Sequence, residues 1–75
     1  MTSYSVKYQT KRGGSGVLMT PKYEVVLKEL RKCFREKRPA TVFKNGVKIG
    51  ECFEDNSCWT GWNYTIEYPS SLHSN

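Results

Sequence analysis

Few residues in this chain have the types and spacing that chemistry needs. Glu51, Glu54 and Asp55 cluster before a short turn. Paired carboxylates can divide acid–base work, but an acidic turn is the commoner use of such a cluster. A general base near neutral pH is usually histidine, and the single histidine, His73, lies in a polar C-terminal stretch. Cys33, Cys52 and Cys58 form an odd set of three. Without a secretory signal, an odd number argues against a disulfide framework, although Cys52 and Cys58 flank a short loop and can approach across it. The paired Cys/His spacing of a zinc site is missing. The reading is a non-enzymatic chain with no metal and no cofactor.

Binding chemistry is better represented. Lys11-Arg12-Gly13-Gly14-Ser15-Gly16 combines two cations with backbone amides that can hold an anion. The Gly-Lys-Ser/Thr of a phosphate-binding P-loop is absent, so the stretch reads first as a flexible connector. The strongest candidate lies further on. At about 100° per residue, Lys28, Arg31, Lys32 and Arg35 fall on one side of a helix, with Lys37 and Arg38 just beyond. Cations near a helix C-terminus also offset its dipole, and Glu29 and Glu36 dilute the patch. The same strip suits a phosphate track, where Lys and Arg release counterions, or an acidic groove on a protein. Trp59 sits beside a turn, next to Cys58 and near Gly61, where an exposed tryptophan is a typical interface anchor.

These residues need elements to position them. Tyr4, Val6 and Tyr8 alternate with polar neighbours, the period of a half-buried strand. Val17-Leu18-Met19 either leads into the helix or adds a brief strand. The helix is expected from about Pro21 to Lys37, capped by Thr20, started by Pro21 and ended before Pro39. Tyr23, Val26, Leu27, Leu30, Cys33 and Phe34 form its apolar face. Glu24 and Lys28 are spaced to pair across one turn. Ala40 to Phe43 and Val47 to Phe53 read as a hairpin around Asn45-Gly46, which favours a type I′ turn and sets Val42 opposite Ile49, with Gly50 a candidate bulge. A last strand runs from about Thr60 to Tyr68, turning Trp62, Tyr64 and Ile66 to the core.

The expected fold is α+β: one small domain over residues 1–68, in β-α-β-β-β order, with a mainly antiparallel sheet and one amphipathic helix on one face. A polar, flexible tail follows over 69–75. The opposite sheet face is mostly Ser, Thr, Lys, Gln and Asn.

Charge bounds the partner. Twelve Lys and Arg against seven Asp and Glu leave a net +5 over 75 residues, which favours acidic partners through long-range attraction. No apolar run reaches the roughly 18 residues of a membrane span, and the N-terminus lacks a signal pattern, so the expected location is the cytoplasm. Known nucleic-acid modules do not fit the element order. The expectation is a small binding protein that docks a basic helix face on an acidic protein or nucleoprotein surface. Its size and sparse catalytic groups suit a phage-type inhibitor of host machinery, in anti-restriction or anti-CRISPR style. Direct, weakly sequence-specific binding of DNA or RNA is the alternative. The contact residues would be Lys28, Arg31, Lys32, Arg35, Lys37, Arg38, Lys11, Arg12 and Trp59. Lys7 and Lys48 join them if they share the helix side. A homodimer through an edge strand or the open sheet face is a further option.

Overall fold

A computed structural model describes residues 2–67. The chain runs β1 (Tyr4–Gln9), β2 (Ser15–Thr20), α1 (Tyr23–Arg35), β3 (Ala40–Lys44), β4 (Val47–Glu54) and β5 (Trp62–Ile66). All neighbouring strands are antiparallel, in the order β2-β1-β3-β4-β5. The helix covers one face of this sheet, and no second layer covers the other among the described residues. The α+β class, the antiparallel sheet and the single covering helix are as expected. The proposed tail 69–75, His73 and Tyr68 lie outside the described residues.

The order gains one strand. The Val17-Leu18-Met19 run forms the centre of β2, which pairs with β1 from Tyr4 opposite Thr20 to Gln9 opposite Ser15. The glycine-rich stretch is therefore mostly a tight turn. Thr10 N–H bonds the carbonyl of Gly14 at 2.8 Å, and Gly14 N–H bonds the Thr10 hydroxyl at 3.0 Å. Gly16 already belongs to the strand, and the ring of its partner Tyr8 lies across it. A Cβ there would sit 2.6 Å from that ring, so any other residue requires the Tyr8 ring to move.

The helix is shorter than expected at both ends. Thr20 is held in the ladder opposite Tyr4, so helical geometry begins only after Pro21. Lys22 occupies the N-cap position, with its N–H bonded to the Thr20 hydroxyl at 3.1 Å. At the other end Lys37 takes a left-handed φ of 57°. Its N–H bonds Phe34 O at 3.2 Å, and Arg38 N–H bonds Cys33 O at 2.9 Å. This is the Schellman closure, which satisfies the last helical carbonyls. It stops the helix before Pro39 can.

The core joins Tyr23, Val26, Leu30 and Cys33 of α1 to Tyr4, Val6, Ala40, Val42 and Cys52 of the sheet. Fully burying side chains such as Leu30 or Val26 contributes about 1.5–3 kcal/mol each. Half-buried Tyr8, Leu18, Leu27, Phe34, Ile49, Trp62, Tyr64 and Ile66 pack around it. Edge-to-face ring pairs clamp both ends of the helix, Tyr4 on Tyr23 at 5.8 Å and Phe34 on Tyr64 at 5.0 Å.

Two local expectations are corrected. The Asn45-Gly46 turn forms, with φ of 50° and 84°, but Val42 pairs with Gly50, not Ile49. Phe43 still pairs with Lys48, so Ile49 is the extra residue of the bulge. Gly50 is instead a close-approach site, because a Cβ there would lie 2.6 Å from Thr65 O on β5. Cys52 is buried in the core with Cys33, whereas Cys58 is only half-buried, and all three thiols are free.

Candidate functional site

The cationic ridge follows from how the helix buries its other side. Tyr23, Val26, Leu30 and Cys33 are fixed in the core, so the helical period carries Lys28, Arg31, Lys32 and Arg35 outward, and all four are exposed. Among the described residues none of them pairs with a carboxylate. The expected Glu24–Lys28 pair does not form. Neither acid expected to dilute the patch pairs with the ridge. Glu29 accepts a long bond from the Cys33 thiol at 3.9 Å, and Glu36 is held by Arg38 and Lys11.

The ridge borders an aromatic margin. Phe34 touches Tyr64 on β5, which fixes the Leu27–Phe34 flank of the helix towards that strand. Arg31 is three or four residues from Leu27, Phe34 and Arg35, and therefore stands on the same shoulder. Lys28, Arg31 and Arg35 line a shallow recess there with Glu24 and Leu27. Trp62 and Tyr64 extend the margin along β5. Trp59, at the tip of the preceding turn, is 98% exposed.

Arg38 leaves the predicted contact set. It is only 8% exposed. Its guanidinium bonds Glu36 at 2.6 and 2.7 Å, donates to Gln9 O at 2.8 Å and lies over the Tyr8 ring at 5.8 Å. The left-handed Lys37 turns the chain back towards β1, which brings Arg38 inward. Nothing in the sequence pattern marks this reversal, because lysine rarely takes that conformation. Desolvation opposes ionisation of Glu36, but the Arg38 bond and the charges of Arg38, Lys11 and Lys32 outweigh it. Its carboxyl lies below the usual glutamate range.

The other candidates separate by location. Lys37 and Lys11 share a recess at the C-terminal end of α1 with Glu36 between them, and Lys11 meets Glu36 at 3.6 Å. Arg12 is exposed in the β1–β2 turn. Lys7 and Lys48 do not join the helix. Both lie on the open sheet face, Lys7 over the Phe43 ring at 5.2 Å and Lys48 paired with Glu51 at 3.0 Å.

The groups with reactive chemistry have partners within the fold. Asp55 ties its own turn: Oδ1 accepts from the N–H and hydroxyl of Ser57, and Oδ2 from Asn63 at 3.4 Å and the Cys58 thiol at 3.6 Å. Those bonds, the Ser57 hydroxyl first, hold the Asp55 carboxyl below its ordinary range. Desolvation and the Asp55 charge push the Cys58 thiol up, the opposite direction from the lowering that activates a thiolate nucleophile. Burial pushes Cys33 up as well, and Cys52 to about 11. Glu51 and Glu54 point to opposite faces of β4 by alternation. Among the described residues no group of side chains has the make-up of a metal site, and no helix is long and apolar enough to cross a membrane.

No family model matches the chain, and neither a curated protein nor a solved structure matches it.

Proposed function

We propose that this protein is a non-enzymatic binding module that docks the exposed ridge of α1 on an acidic macromolecular surface, in the manner of a small inhibitor of a protein or nucleoprotein complex. One observation carries this reading: Lys28, Arg31, Lys32 and Arg35 project together from a helix anchored on its other face, and among the described residues none of them forms an ion pair with a carboxylate. Exposed cations that pair within a protein add little to its stability. Unpaired ones on a rigid element are available to a partner and steer it at long range. Lys37, Lys11 and Arg12 extend the positive surface past the helix end, and Trp59 offers a large, desolvatable ring.

A second reading, direct binding of DNA or RNA, gains support from the aromatic margin beside the arginines. The half-buried rings of that margin and the exposed Trp59 offer faces or edges on which bases can stack while Lys and Arg follow the backbone.

The test uses the charge-reversed variant Arg31→Glu/Arg35→Glu. Both positions are exposed, so its circular dichroism should match the wild type, with thermal unfolding shifted only by the few tenths of a kcal/mol that each exposed helix charge contributes. Capture from the cell lysate of origin, with and without nuclease, should give a defined protein complex with the wild type and none with the variant. Equal capture by both would reject the ridge as the contact. If all recovery disappears with nuclease, and affinity for bare nucleic acid falls steeply with salt, the second reading replaces the first.

A further inference from the structure

The sheet has two free edges, β2 and β5, and the chain treats them differently. Glu67 N–H bonds Ile49 O on β4, so the odd residues of the last strand face β4 and the even ones face outward. Two of those outward groups are closed by the chain's own side chains. Tyr64 N–H donates to the Asn63 side-chain oxygen at 2.8 Å, and Trp62 O accepts from the Thr60 hydroxyl at 3.0 Å. The β5 edge is thereby partly blocked, at Trp62 and Tyr64.

The β2 edge has no such closure. Beyond its ladder with β1, its backbone makes no hydrogen bond among the described residues. It also lacks the usual protections of an edge, which are charge, proline, a bulge or extreme shortness. Ser15-Gly16-Val17-Leu18-Met19-Thr20 is uncharged and pairs with β1 through six uninterrupted positions. Val17 and Met19 on its open-face side are 57% and 70% exposed.

We infer that β2 is a self-pairing edge, and that its occupant is a second copy of this chain. Two features select a copy over another partner. First, the strand is complementary to itself about a two-fold axis through Leu18. Antiparallel pairing there sets Leu18 opposite Leu18 of the second copy, Val17 opposite its Met19, and Gly16 opposite its Thr20. Directly opposed residues share a face, so the exposed apolar side chains of each copy cover those of the other. A slip of two residues would set Met19 against Ser15 in one direction and Val17 against Pro21 in the other. Second, each copy carries +5, and two like-charged molecules meet with less repulsion along a strand that itself carries no cation. The dimer has one continuous sheet with both helices on the same side, which places two cationic ridges on one surface.

Sedimentation equilibrium from about 10 µM to about 1 mM spans the range of a weak dimer. The average mass should double from 8.7 kDa. The variant Val17→Lys/Met19→Lys should stay monomeric throughout with unchanged circular dichroism. Amide exchange on the wild type gives a second readout that needs no variant: protection in β2 should rise with protein concentration while that of β5 stays constant. A wild type that remains monomeric at about 1 mM overturns self-pairing and leaves the edge to an extended segment of a different protein. A dimer that survives the double lysine variant, or concentration-dependent protection in β5 instead of β2, overturns it as well.

Discussion

Arg38 shows how far a residue's role depends on the bend before it. By spacing it continues a run of cations. In the folded chain it ties the end of α1 to β1 through Glu36, Gln9 O and Tyr8. Replacing it with methionine keeps the stem but removes the charge and its bonds, and should destabilise the fold by about 2 kcal/mol at neutral pH. The cost should depend on pH in a defined direction. Glu36 is held below its ordinary 4.5 in the folded chain, so its contribution is present above that value and lost as pH falls through the lowered one. Denaturation curves of wild type and Arg38→Met should differ most near neutrality and converge in acid. An equal gap at both pH values would mean that the guanidinium acts only through packing. The other predicted contact residues kept the exposure their spacing implied, because nothing in the chain opposes them: Lys28, Arg31, Lys32 and Arg35 follow the helical period, and Trp59 lies in a turn.

At the scale of elements, the helix and strands were legible wherever periodicity extended over several residues. The core side of α1 and the inward residues of β1 and β5 follow directly from periods of 3.6 and 2. What escaped were features set by a neighbour. The strand identity of Val17-Leu18-Met19 depends on β1 accepting it as a partner. The bulge at Ile49 depends on the Phe43 register, and the burial of Cys52 depends on that bulge. The helix end is the sharpest case. Lysine at the left-handed position costs on the order of 1–2 kcal/mol relative to a conformation it prefers, and glycine is the usual residue there. Lys37→Gly should therefore raise stability by about 1 kcal/mol, read as a higher denaturation midpoint with an unchanged slope. No gain would show that the Lys37 side chain repays its backbone strain through contacts at the recess it shares with Lys11.

For the whole molecule, the question is whether the cations serve the fold or something outside it. Lys32 and Arg35, in the last turn of α1, gain from the helix dipole. Arg31, near the middle, does not. It lies three residues from Lys28 and four from Arg35, with no acid at either spacing on either side. Like charges at those spacings cost a few tenths of a kcal/mol each, and the net +5 adds a diffuse repulsion that salt screens. Arg31→Gln keeps nearly the same helix propensity. It should make the isolated protein more stable by about 0.5 kcal/mol at low ionic strength, and the advantage should shrink as salt is added. Thermal unfolding of both proteins across a salt series reads this directly. If Arg31→Gln is instead less stable at low salt, the arginine stabilises the fold, and the ridge needs no partner to explain it. If the variant is more stable yet binds its target more weakly, the chain carries Arg31 at a cost to folding. Only a contact outside the domain accounts for that combination.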